Sequence, residues 1–198
     1  MDFTVVSERT ALINVDLQNC FVDGTPDARA ILEHINRLSA VCRDAGILVI
    51  HTRHVLRPDG SNMGVLAEIP KIKAGFLNEG AESAALHKGL VVDPRDLRLE
   101  KPRFGAFHAT DLELILRTRG IDTVIISGIS TNVCCDTTAR EANARDFRVL
   151  FLSDGTATPA GAEFQRATLE ILDGLFAQVL TVDEVLQKIT RTALGADG

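Results

Sequence analysis

Three side chains far apart in the chain complement one another chemically: the thiol of Cys134, the carboxylate of Asp16 and the ammonium of Lys101. Sulfur attacks as the thiolate, so a nucleophilic cysteine needs a group to take its proton and a positive charge to steady the anion. A carboxylate and an ammonium supply the two. Each residue also has a plainer reading: a small buried cysteine, an acid closing a turn, a solvated lysine. The elements that carry them decide between these readings.

Cys134 follows Val124-Ile125-Ile126-Ser127-Gly128, a β-branched run of the kind found in buried parallel strands, broken at the glycine. Ser130, Thr131 and Asn132 suit a helix N-cap, with the helix expected as far as about Asp146. Cys134 then lies in or just before the first helical turn, where unpaired N–H groups lower a thiol pKa and can hold an oxyanion. Asp16 closes a strand predicted over 11–15. Lys101 closes one over 96–100, and Pro102 keeps that lysine extended. Further strands are predicted over 47–50, 147–152 (ending in a turn over 153–156) and 178–180. Helices are predicted over 26–44, 110–120, 161–173 and 182–189, with a frayed tail after Thr190. This alternation predicts an α/β fold: a doubly wound, six-stranded, mostly parallel sheet with helices on both faces, a Rossmann-like three-layer arrangement. The C-terminal strand ends of a parallel sheet share one rim. Chance seldom puts an acid, a cation and a thiol on it together.

A chain of 198 residues is read as a single domain, 1–198, large enough to bury about 70% of its unfolded surface without a disulfide or metal staple. The net charge of −6 argues against a nucleic-acid partner. No apolar run approaches the ~20 residues of a membrane span, and Met1-Asp2-Phe3-Thr4 has neither a basic nor an apolar leader region. Cys20, Cys42, Cys134 and Cys135 form no zinc spacing, which fits a reduced, cytoplasmic protein; a Cys134–Cys135 disulfide would be strained. Without a G-x-G-x-x-G or Walker sequence no cofactor is expected. Trp and Tyr are absent, so aromatic pocket walls must come from Phe or His.

His51-Thr52-Arg53-His54 follows the second strand. A His-x-x-His pair raises metal binding, but no third ligand stands nearby at a matching spacing. Arg53 and His54 are the better candidates for substrate contacts, since both can donate hydrogen bonds. Residues 55–97 are punctuated by glycine and proline and too long for a simple loop. They are read as an excursion over the strand ends, with a short helix over 79–88, that shapes a pocket, makes a subunit contact or is passive decoration.

Three motifs, in order, resemble the cysteine-hydrolase branch of the isochorismatase-like hydrolases. They are Asp16-Leu17-Gln18-Asn19-Cys20-Phe21, Lys101-Pro102-Arg103-Phe104-Gly105-Ala106-Phe107, and Gly128-Ile129-Ser130-Thr131-Asn132-Val133-Cys134 leading into Thr138-Ala139. The likeness runs from about Arg9 to Thr181. It implies an Asp16-Lys101-Cys134 triad cleaving a C–N bond through a thioester, a cis peptide at Ile129–Ser130, and an oxyanion hole from the Ser130 and Cys134 N–H groups. It also implies Phe21, Arg53, His54 and Phe107 around a small amide or ureido substrate, and a homodimer or homotetramer. Cys135 stands where the family more often has a small β-branched residue, and is expected to pack between helix and sheet. The metal-binding Asp and His of nicotinamidases are not evident between Arg53 and Met63. That favours likeness to ureidoacrylate, N-carbamoylsarcosine and biuret hydrolases over a nicotinamidase-like amidase. An isochorismate-type vinyl-ether hydrolase would lack the cysteine, and a non-enzymatic binding protein would have no need of the trio.

Overall fold

In the computed structural model, which describes residues 2–195, six strands form one parallel sheet in the order β3-β2-β1-β4-β5-β6. The strands are β1 (Thr10–Val15), β2 (Leu48–His54), β3 (Leu97–Lys101), β4 (Thr123–Ile129), β5 (Arg148–Ala157) and β6 (Gln178–Leu180). The helices are α1 (Asn19–Val22), α2 (Ala28–Asp44), α3 (Pro70–Lys73), α4 (Leu112–Thr118), α5 (Asp136–Asn143), α6 (Ala162–Leu172) and α7 (Val182–Gly195). Every paired strand runs parallel, where the sequence predicts mostly parallel.

The two-residue period of the strands sorts their side chains onto two cores. Ala11, Ile13, Val15, Val124 and Ile126 pack with Leu112, Leu116, Ala139, Ala142 and Leu172 of α4, α5 and α6. Leu12, Val49, Ile125 and Leu150 pack with Leu38 and Cys42 of α2 and Val182, Val185 and Ile189 of α7. Inside the sheet a polar chain runs from Ser127 through Asn14 to His51 and Asp96, which also binds Arg43. Every link is a hydrogen bond, which is what allows so many polar groups to be buried.

Four expectations need correcting. β5 does not stop at Leu152. Its pairing with β4 jumps from Ile126↔Phe151 to Gly128↔Thr156, so the predicted turn at 153–156 is a bulge and the strand resumes to Ala157. The helix predicted over 79–88 is only a 3-10 turn, Glu82–Ala84, because its flanks are pinned in extended form by a bridge from Leu86 to Gln18. α7 runs past Thr190 to Gly195, and the end of the predicted frayed tail, 196–198, lies outside the described residues, as does Met1. The helix after β4 opens as a π-helical turn, Thr131–Cys135, with no side-chain cap from Ser130. Among the described residues no helix is long and apolar enough to cross a membrane.

Candidate active site

The strand order reverses between β1 and β4, the place where open α/β sheets leave a crevice at their C-terminal ends. Asp16 is the first residue after β1. Its backbone is left-handed (φ 52), a conformation short acids tolerate better than most residues. The Thr52 hydroxyl of β2 fixes it twice, accepting from the Asp16 N–H at 3.1 Å and donating to Oδ1 at 2.7 Å. Lys101, the last residue of β3, reaches across to place Nζ 2.7 Å from Asp16 Oδ2, and both side chains are fully buried. Nζ also donates to the carbonyls of Arg103 and Phe104, at 2.9 and 2.8 Å. Burial works against the Lys101 ammonium, but the Asp16 carboxylate beside it outweighs this and holds its pKa up, so the lysine stays charged.

Cys134 sits in the π-helical turn after β4, close enough to the Asp16 carboxylate and the Lys101 ammonium for both charges to act on its thiol. The peptide Ile129–Ser130 is cis. The Val133 and Cys135 N–H groups close the turn onto the Ser130 carbonyl, and the N–H groups of Ser130 and Cys134 take no part in those two bonds. One expectation reverses here. Burial is the dominant influence on the Cys134 thiol and pushes its pKa up, with Asp16 adding to the rise and Lys101 opposing it. The helix end does not by itself make a resting thiolate, because desolvation at a residue only 4% exposed outweighs it.

In front of the sulfur lies a pocket of about 380 Å³ lined by Cys134, Ser130, Phe21, His54, Phe104 and Val133, and closed by Lys71, Ile72, Phe76 and Leu77 from the 55–97 excursion. Phe21 and His54 are therefore at the cleft. His54 is packed edge-on against Phe104, and its Nε2 has no hydrogen-bond partner among the described residues. Burial, then the Lys101 charge, lower its pKa to about 4, so the ring is a neutral acceptor at pH 7. Arg53 and Phe107 are not at the cleft. Neighbours on a strand face opposite ways, so Arg53 points outward and pairs with Glu100, while Phe107 is in the core against Phe147. His51 and His54, three apart on β2, project to opposite faces, and His51 is engaged by Asp96 and Asn14. The pair does not converge on a metal site.

Sequence reasoning missed Phe104, which stood in the quoted lysine motif three residues from the phenylalanine chosen instead. It also missed Lys71 and Phe76, which no local pattern distinguishes from the rest of the excursion. Gln18 uses its whole amide as a tether: it donates to the His54 and Ala84 carbonyls at 3.1 and 2.9 Å and accepts from the His54 N–H at 2.7 Å. With His87 N–H on the Leu17 carbonyl and Asn19 N–H on the Ala85 carbonyl, it fastens the excursion beside the acid.

The family model for the isochorismatase domain matches residues 10–184. Nicotinamidase 3 of Arabidopsis thaliana is 34% identical, over 96% of this chain and 91% of that protein. The ureidoacrylate amidohydrolase RutB of Methylorubrum extorquens is 30% identical, over 89% of this chain and 81% of that protein. A crystal structure of a cysteine hydrolase from Pseudomonas syringae pv. phaseolicola superposes with a TM-score of 0.89 at 31% identity, covering 96% of this chain and 97% of that one.

Proposed function

Because the chain belongs to the isochorismatase family of hydrolases, we propose that it is a cysteine-dependent amidohydrolase. It cleaves a C–N bond of a small amide, ureido or carbamoyl compound and works as a homodimer or homotetramer. The observation that carries this reading is the buried ion pair of Asp16 and Lys101, 2.7 Å long, beside a thiol that opens onto a pocket.

In the first half-reaction the Cys134 sulfur attacks the substrate carbonyl carbon as its proton passes to Asp16. The high thiol pKa makes this coupling necessary, since little thiolate exists beforehand. The Ser130 and Cys134 N–H groups receive the oxyanion, each such donor supplying about 3 kcal/mol. Asp16 returns the proton to the leaving nitrogen, the C–N bond breaks, and ammonia or an amine departs, leaving a thioester. Water, deprotonated by Asp16, then attacks the thioester and frees the acid and the thiol. Lys101 keeps the charge in the cleft balanced throughout. His54 Nε2 accepts an N–H of the substrate, which suits an amide or ureido nitrogen.

The relatives named as a nicotinamidase and as ureidoacrylate amidohydrolases support the C–N chemistry and differ in substrate. The test is an ammonia-release screen over small amides, ureas, carbamoyl amino acids and nicotinamide. Turnover of at least one compound by the protein, and none by Cys134→Ala, is the expected result. Ammonia release that survives Cys134→Ala removes sulfur from the reaction.

A further inference from the structure

The cleft has an uneven charge. Its walls are largely hydrocarbon, from Phe21, Phe76, Leu77, Phe104 and Val133, and no acidic side chain among the described residues lines it, although acids outnumber bases 27 to 21 in the chain. The Lys101 charge is matched by Asp16, and His54 is neutral. Lys71, on α3, is the one lining side chain with a charge that no carboxylate among the described residues matches. Its ammonium lies 4.9 Å from the centre of the Phe76 ring, a contact that leaves the cation open to an anion. Its charge acts on the Cys20 thiol, which lines the same pocket. The position is fixed from below, because Ile72 next to it is 5% exposed within the excursion's own core.

We propose that Lys71 is a specificity-determining residue: it binds a carboxylate at the end of the substrate remote from the bond that is cut, so the protein prefers acidic ureido or carbamoyl compounds to neutral ones. This rests on the hydrolase reading above. The carbonyl lies at Cys134, the carbon chain runs along the phenylalanine walls, and the carboxylate reaches the cation. The volume of about 380 Å³ is at the small end for ligand pockets and suits a compound of a few carbons.

The test compares ammonia release from N-carbamoylglycine with that from isobutylurea, which has the same carbamoyl group and tail shape without the carboxylate. The protein favours the acid by about tenfold or more in kcat/KM. Lys71→Gln brings the ratio close to one through KM, Lys71→Arg keeps the preference, and Lys71→Glu inverts it. A ratio that Lys71→Gln leaves unchanged overturns the proposal. A second arm does not depend on turnover: binding of N-acetylglycine, followed by ligand-observed NMR, to Cys134→Ala with and without Lys71→Gln. Binding about tenfold weaker in the double variant is the expected result. Equal binding, or none in either protein, overturns the role of Lys71. If that difference holds while no compound is hydrolysed, the hydrolase reading fails and the assignment of Lys71 stands.

Discussion

Cys134 and Cys135 are neighbours in sequence with different surroundings. The first opens on the pocket; the second is fully buried in the core, its thiol 3.7 Å from the Ser127 carbonyl. Cys134→Ala is expected to lower ammonia release by about a thousandfold or more, and Cys135→Ala to leave it within a few fold; equal losses in the two variants would mean the wrong sulfur has been chosen. His54 makes a prediction about pH. Its pKa falls from 6.5 to about 4 on folding, so between these values the unfolded chain binds more protons than the folded one. Stability is therefore lost as pH falls from about 6.5 towards 4, by up to about 3 kcal/mol from this residue. Urea midpoints measured across that window should fall less steeply in His54→Gln; identical slopes would show that the ring is not held neutral. At this scale the sequence was informative where chemistry imposes a residue type: the acid, the lysine and the cysteine were each legible beside a strand end. It misled at Arg53 and Phe107, because closeness in sequence to a strand end does not say which face a side chain takes.

The elements bring the strand ends together only if neighbouring strands approach closely. Gly128 of β4 has φ 118, and a methyl group there would strike the backbone of Val15, the residue before Asp16. Gly128→Ala is expected to cost about 3 kcal/mol or more through backbone strain and the forced separation of β1 from β4. Thermal unfolding and ammonia release should both fall; a variant with wild-type melting temperature would contradict the contact. Most of the sheet was legible, because hydrophobic runs between glycine and proline breaks mark buried strands plainly. The extension of β5 to Ala157 was not, since Ser153-Asp154-Gly155 has the composition of a turn and only pairing with β4 draws the chain back into the sheet. The short pieces over 55–97 were equally hidden. They are held by long-range bonds such as those of Gln18 rather than by any periodicity of their own.

For the whole molecule, the exposed apolar side chains are concentrated partly on one helix. Phe164 and Ile171 lie two turns apart on α6, with Leu175 just beyond, at 56%, 51% and 69% exposure. Such a stripe supports association between copies. Light scattering is expected to give a dimer or tetramer, and Phe164→Glu with Leu175→Glu to shift it towards monomer; a wild-type monomer would remove the assembly from the proposal. The tethered excursion has a different consequence. Its foot is fastened beside Asp16 by Gln18, and its far part, carrying Lys71 and Phe76, forms one side of the pocket entrance. In the proposed enzyme, the triad and the cation that holds the remote carboxylate therefore lie in separate stretches of the polypeptide. Transplanting 56–78 between relatives is then a route to new selectivity that leaves the cutting apparatus as it stands.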